Sequence, residues 1–226
     1  MTADAESPRT PPRAAAPKAA PSSRRGLWLS LAAGVLVVGA IALDTTIVHV
    51  GSDADVRQQA FSPDAYGQQE FPRIRDFVMG RAVEAQILHA AIAADQQAAI
   101  DEYGTPASTG AIFMVSVSGV AGTPRAGVYP LEVEGMPEGQ VIRVQTGPAI
   151  NGTDLRDAPG DIAFGAFRNQ IEFQDAGSGI NRAMAAEVLG PIDTANLTGR
   201  TLTVTGAFRL INPTNWMITP VALEVQ

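Results

Sequence analysis

The stretch from residue 147 to residue 172 holds the densest group of side chains that can form hydrogen bonds or carry charge. Arg156 offers a planar guanidinium that can grip a carboxylate or phosphate through two parallel hydrogen bonds. Asn169 and Gln170 each donate and accept, which suits a sugar or a peptide backbone. Loops with this many polar groups can form a ligand site. In the alternative interpretation, the same groups satisfy one another and hold a long loop against the fold.

Carboxylates in this stretch raise a second possibility, hydrolysis by paired acids. Glycosidase-like chemistry needs two carboxyl groups about 5–9.5 Å apart across a groove. Asp154, Asp157 and Glu172 are the candidates, and the sequence does not give their separation. Asp154, Asp157 and Asp161 lack the alternating spacing of a calcium loop. We therefore expect these aspartates to form turns and helix caps rather than a metal site.

Several kinds of catalytic site are excluded by residues that the sequence lacks. Cysteine is absent, which removes disulfides, thiolate metal sites and cysteine nucleophiles. Lys18 is the only lysine, so a Schiff base or a phosphate-loop lysine has no candidate in the remainder of the chain. His49 and His89 are too few for a histidine metal site, and the chain has no Gly-x-Ser-x-Gly motif. We predict no cofactor, no metal and no enzymatic activity.

Charge is divided unevenly along the chain. Residues 1–25 have a net charge of +3, and the remaining residues have −10, which together give −7. A domain with this excess of carboxylates repels phosphate backbones. Nucleic acid is therefore not an expected partner.

The N-terminal segments predict a membrane anchor. Residues 1–25 are rich in Ala, Pro, Ser and Arg and are predicted to be a disordered cytoplasmic tail. The uncharged apolar run of residues 26–43 would span about 27 Å as a helix, close to the thickness of a bilayer core. Because the arginines precede it, the positive-inside rule places the tail in the cytoplasm and the following domain in the periplasm. The alternative is a cleaved signal peptide, for which Ala40-Ile41-Ala42 resembles a cleavage site.

The anchor is followed by a predicted polar connector, residues 44–70, and a domain over residues 71–226. Apolar residues recur at helical spacing over 71–103, where Asp95 is a candidate cap for a second helix. After Gly110 the hydrophobic period changes to two, which is typical of strands. A polar loop and a short helix over 181–189 separate the third strand from the fourth. The predicted strands cover residues 111–120, 127–134, 140–146, 201–210 and 217–225.

This order of elements predicts an α+β fold. A helix between the third and fourth of five short strands is the arrangement of an OB-type Greek-key barrel, here over residues 110–226. The helices of residues 71–103 precede this small antiparallel barrel. An open antiparallel sheet with helices on one face is the alternative.

Several short motifs together resemble a bacterial family of predicted periplasmic lipoproteins of unknown function. They are residues 147–158, the Phe-x-x-Phe-x-Asn-Gln-Ile-Glu of residues 164–172, Asn181, residues 199–208 and residues 218–221. Members are often encoded beside sugar ABC importers, so the resemblance implies an envelope location and an accessory role in uptake. It marks as the polar core Asn151, Gly152, Thr153, Arg156, Asp157, Asn169, Gln170 and Asn181. The chain departs from the family in having no cysteine to carry a lipid, so a helical anchor would replace it.

The leading hypothesis is a single-pass inner-membrane protein with its N-terminus in the cytoplasm and a non-enzymatic binding or accessory domain in the periplasm. Sugar ABC importer components are the candidate partners. Two alternatives remain open at this point. One is a hydrolase that uses carboxylates of the 154–172 region, and the other is a purely structural envelope module.

Overall fold

A computed structural model of the chain describes residues 28, 33–39 and 61–226. Trp28 and residues 33–39 are helical, and none of the described helices is long and apolar enough to cross a membrane. The predicted tail, most of the predicted anchor and the connector as far as residue 60 lie outside the described residues. The chain divides into two units at Ala60 and Phe61, and the second unit contains all the elements named below.

The second unit begins with helix α1, Pro63–Arg81. Ser62 caps it, because its hydroxyl accepts a hydrogen bond from the Ala65 amide, and Pro63 occupies the first turn, where a missing N–H costs nothing. The prediction of a connector extending to residue 70 is therefore wrong for its last residues. The first turns of α1 bury Gly67, which carries no hydrophobic signal, so the periodicity becomes visible only from Phe71 onward.

Two shorter helices follow, α2 at Ala85–Ala94 and α3 at Gln96–Tyr103. The predicted cap at Asp95 is confirmed, since its carboxylate accepts from the amides of Gln97 and Ala98 at 2.9 and 3.1 Å. The helical run is interrupted by strand β1, Val83–Glu84, and is followed by strand β2, Gly104–Pro106. Both short strands pair with the first long strand of the barrel, and this pairing breaks the otherwise continuous helical spacing.

Five strands form a closed barrel, and the OB-type prediction is confirmed. β3 pairs with β4 and β6, β4 with β5, and β6 with β7, all antiparallel, while the parallel pair of β5 and β7 completes the ring. The alternative of an open sheet is wrong because β3 bonds to β6 along almost its whole length. The strands are β3 (Ala111–Ala121), β4 (Val128–Glu132), β5 (Val141–Gln145), β6 (Thr201–Arg209) and β7 (Asn215–Val225).

Two helices lie between β5 and β6. The single turn α4, Asp154–Asp157, is followed by α5, Gln170–Met184, and a π-helical turn continues α5 to Leu189. The predicted helix over 181–189 is thus only the end of a longer one. Its first half was missed because Gly177 and Gly179 lower helix propensity there, and the cap is Asn169.

The apolar residues form two separate cores. Inside the barrel, Trp216 stacks on Phe208, with ring centroids 4.6 Å apart, and Leu88 of α2 packs against this interior. The second core lies on the outer face of β3, β6 and β7, where α1, α4 and α5 pack. Its members include Phe71, Ile74, Ile112, Met114, Leu155, Ile180, Ala207 and Val221. Helix α5 is therefore fixed to the outside of the barrel, and α2 belongs to the interior core.

Helices α1 and α5 approach each other at two glycines. A Cβ built on Gly67 would lie 2.1 Å from the carbonyl oxygen of Gly179, and a Cβ on Gly179 would lie 1.9 Å from the carbonyl oxygen of Pro63. Backbone atoms cannot move aside as a flexible side chain can. The contact therefore requires glycine at both positions.

We expect Gly67→Ala to lower the free energy of unfolding by about 1–3 kcal/mol, because the added methyl group overpacks this crossing. Gly80→Ala is the matched control in the same helix, since a Cβ there meets nothing within 4 Å. It should be neutral or stabilise by up to about 1 kcal/mol through helix propensity. Urea unfolding followed by circular dichroism measures both. Equal stability of the two variants would contradict the close crossing.

Candidate ligand site on the outer face of the barrel

A cavity of about 630 Å³ opens on the outer face of the barrel. Its strand residues are Val128 of β4, Gln145 of β5, Arg209 of β6 and Met217 of β7. The loop after β5, α4 and the start of α5 form the opposite wall. The wall and rim residues are Ser108, Thr109, Asn151, Gly152, Thr153, Asp154, Arg156, Asp157, Gln170, Phe173, Gln174 and Ile211.

The floor of the cavity is organised around the carboxylate of Asp157. Its Oδ1 accepts from Nε of Arg156 at 2.8 Å and lies 2.8 Å from Nη2 of the same guanidinium. Its Oδ2 accepts from Thr153 Oγ1 at 2.8 Å and from Arg209 Nη2 at 2.5 Å. Four donors fill the acceptor positions of one carboxylate. Asp157 is therefore held in one orientation.

Arg156 is the most buried charged side chain of the site, with 5% of its surface exposed. Its guanidinium lies over the ring of Phe173, 3.6 Å from the centroid, and Nη1 donates to the Phe173 carbonyl at 2.8 Å. A charge this deep needs compensation, which Asp157 provides by its carboxylate and Phe173 by the negative face of its ring. These contacts join α4 to the first turn of α5.

Arg209 completes the network from the end of β6. Its Nη1 donates to the Thr109 carbonyl at 2.8 Å, and its Nε lies 3.4 Å from Oδ1 of Asp154. Burial raises the pKa of the Asp154 carboxyl above its ordinary value, and the positive charge of Arg209 only partly opposes this. The sequence reasoning missed Arg209. It is 52 residues from Asp157, so no local pattern connects the two.

The loop wall is clamped by amide side chains. Gln145 donates from Nε2 to the Asn151 carbonyl at 3.0 Å and accepts the Asn151 amide at 2.9 Å through Oε1. The same Nε2 donates to Thr219 Oγ1, and the buried Asn181 donates to the Gly152 carbonyl at 2.9 Å. Gly152 has a φ of 93°, which favours glycine. Gln145 and Thr219 were not among the predicted site residues. Both lie within predicted strands, and no short motif distinguishes them from other strand residues.

The predicted polar core is brought together with one exception. Asn151, Gly152, Thr153, Arg156, Asp157 and Gln170 line the cavity, and Asn181 lies behind the loop. Asn169 does not line the cavity. Its side chain accepts the Glu172 amide at 2.9 Å and caps α5. Asn169 therefore has the structural role that the alternative interpretation of this polar stretch gives.

The carboxylates do not form the arrangement that a hydrolase needs. Asp157 has no acceptor position left for a substrate or a water, and Asp154 is paired with Arg209. Glu172 accepts the backbone amide of Arg168, the residue before the cap of α5, at 3.0 Å. Within residues 28, 33–39 and 61–226, no group of three or more His, Cys, Asp or Glu side chains is placed to hold a metal ion.

The sequence pattern of the family described as predicted periplasmic lipoprotein (DUF2291) matches residues 32–224. The chain belongs to this family. Its description gives a periplasmic location and no molecular activity. The resemblance noted from short motifs is therefore confirmed.

One solved structure supports the fold. It is the crystal structure of an OB-fold protein from Thermotoga maritima, with a TM-score of 0.60 at 15% sequence identity. The match covers 74% of this chain and 99% of the other. At this identity the likeness concerns the fold alone. A comparison with curated proteins found no match.

We expect Arg209→Gln to lower the free energy of unfolding by about 3 kcal/mol, because it leaves Asp154 and one oxygen of Asp157 without their charged partner in a largely buried site. Arg125→Gln is the control, since Arg125 is exposed and has no ion pair in the part of the chain that the structure describes. Thermal unfolding of both variants measures the difference. A loss below that of the control would show that the network contributes nothing to stability.

The raised pKa of Asp154 predicts a pH-dependent difference from the Asp154→Asn variant. An acid whose pKa is higher in the folded state binds its proton more tightly there, so ionisation of Asp154 destabilises the fold as pH rises through that pKa. Between neutral pH and its ordinary value of 3.8, the unsubstituted protein should therefore gain stability relative to Asp154→Asn as the pH falls. Urea unfolding across this range tests it, and a constant difference would contradict the burial effect.

Proposed function

We propose that this protein is a non-enzymatic binding module, held at the inner membrane by residues 26–43 with its domain in the periplasm. We further propose that the cavity takes a small neutral ligand rich in hydroxyl groups, and that the module serves sugar ABC import. The observation that carries the proposal is the cavity itself, whose charged floor is fixed and whose rim has neutral polar side chains beside the apolar Ile211.

The position of the cavity supports this proposal by analogy. OB-folds bind ligands on the face of their second and third strands, beside the loop that joins the fourth and fifth. Here those strands are β4 and β5, and the loop begins after Arg209. Val128, Gln145 and Ile211 bring all three of these regions to the cavity.

The chemistry of the rim supports a hydroxyl-rich ligand. Ser108, Asn151, Gln170 and Gln174 can each donate and accept, which matches the two roles of a hydroxyl group. Ile211, with 77% of its surface exposed, adds an apolar wall for the carbon face of such a ligand. The carboxylates of the floor are committed to arginines, so they orient donors rather than attack a bond.

A structural role is the second candidate, and the dense bonding of Asp157 favours it. Substitutions at the rim of the cavity distinguish the binding role from the structural role. Gln170 and Gln174 are exposed, and their side chains have no hydrogen-bond partner in the part of the chain that the structure describes. Replacing them should leave stability unchanged, whereas a bound ligand would lose its contacts.

The test is thermal melting of the full chain in mild detergent against pentoses, hexoses and short glycans. A ligand at about 100 times its dissociation constant adds about 2.7 kcal/mol to the folded state, which is a measurable shift. We expect Gln170→Ala combined with Gln174→Ala to abolish the shift while the free energy of unfolding without ligand stays within about 0.5 kcal/mol of the original. Gln69→Ala, an exposed position on α1, should keep the shift. No shift with any of these compounds would favour the structural role.

The link to import has its own test. The protein purified from its native membrane in mild detergent should bring importer subunits with it. Recovery without any importer subunit, while the ligand shift persists, would separate binding from transport and contradict the importer link alone.

A further inference from the structure

We propose that the ligand is a linear oligosaccharide, with one end in the cavity and the rest along the outer face of β4, β5 and β7. This inference rests on the proposed function and deepens it. The supporting observation is the strand register, which places further outward-facing side chains of β4, β5 and β7 next to those that line the cavity.

The register sets three rows of outward-facing side chains across these strands. Ile142 and Val144 point into the barrel core, so Gln145, Arg143 and Val141 face outward. In the first row Val128 lies opposite Gln145, and both line the cavity. The second and third rows continue away from the cavity. The second contains Pro130, Arg143 and Met217, and the third contains Val141 and Asn215.

The second row is continuous with the cavity. Met217 belongs to both, because it lines the cavity and pairs with Arg143 across β5 and β7. The Arg143 guanidinium is held in place, since its Nε donates to Asn215 Oδ1 at 3.1 Å. The row therefore presents a fixed planar donor between two apolar side chains, those of Pro130 and Met217. A sugar ring fits such a row through its hydroxyl groups and its carbon face.

The length of the face exceeds that of one sugar. Gln145 and Val141 are four residues apart, which is about 13 Å along a strand. Val141 ends the face with 41% of its surface exposed. A single ring in the cavity would leave the second and third rows unused, whereas a chain of three rings would reach them.

The same face argues against two other extended ligands. A nucleic acid would bring phosphates towards Asp154 and Asp157 in a domain with more acidic than basic residues. A peptide that adds a strand needs a free backbone edge. β5 bonds to β4 along one edge and to β7 along the other, so the central strand of the second and third rows has no free edge.

The experiment is calorimetric titration of the full chain in detergent with malto-, cello- and xylo-oligosaccharides of one to five units. We expect at least one series to bind tenfold more tightly at three units than at one. Arg143→Gln should weaken the three-unit ligand at least fivefold and leave the one-unit ligand unchanged. Arg81→Gln, an exposed arginine at the end of α1, is the matched control and should change neither.

A second variant protects the test against misfolding of Arg143→Gln. Val141→Asp alters an exposed position of the third row and should weaken only ligands of three units or more. Affinity that does not rise with chain length, or an equal loss for one and three units in both variants, would overturn this inference and leave the proposed function intact. Preferential binding of an extended peptide such as penta-alanine would also overturn it. No binding by any saccharide would overturn the proposed function itself.

Discussion

The contact between one carboxylate and two guanidinium groups determines how the helical layer meets the barrel. Asp157 lies on the short helix α4 and binds Arg156 beside it and Arg209 at the end of β6. Arg156 in turn stacks on Phe173 of α5. Three elements distant in sequence are thus joined through one acid. Because each charge is largely removed from water, losing any partner would leave an uncompensated charge. Arg156, Asp157 and Arg209 also line the cavity.

The positions of the two cores explain why the helices do not pack on the outer face of β4 and β5. In this chain α2 packs on the barrel interior and α5 packs outside, on β3, β6 and β7. The crossing of α1 and α5 at Gly67 and Gly179 keeps the helical layer thin and fixed. The helices therefore cover one part of the outer surface and leave β4 and β5 accessible beside them. A rigid layer next to an open sheet face is a suitable frame for a preformed binding site.

The hydrogen bonds and ion pairs of the site favour ligand binding over catalysis. Asp154 has the raised pKa that is common among acid catalysts, yet its neighbour Asp157 is fully occupied as an acceptor. Perturbed carboxylates also occur in structural ion-pair networks, and the arrangement here has that character. The neutral amides of the rim remain the groups that are free to meet a ligand.

Local patterns in the sequence determined the elements and several of the site residues. Alternating apolar residues marked all five barrel strands, and the Asp95 cap and the polar residues from Asn151 to Asp157 were visible as short motifs. These features depend on neighbours within a few positions. The start of α1 and most of α5 were missed, because buried glycines carry no hydrophobic signal. Only the tertiary structure decided that Arg209 and Gln145 belong to the site, and that Asn169 is a cap. The reason is physical, since a charge or an amide on a strand has no partner until folding brings a distant segment against it.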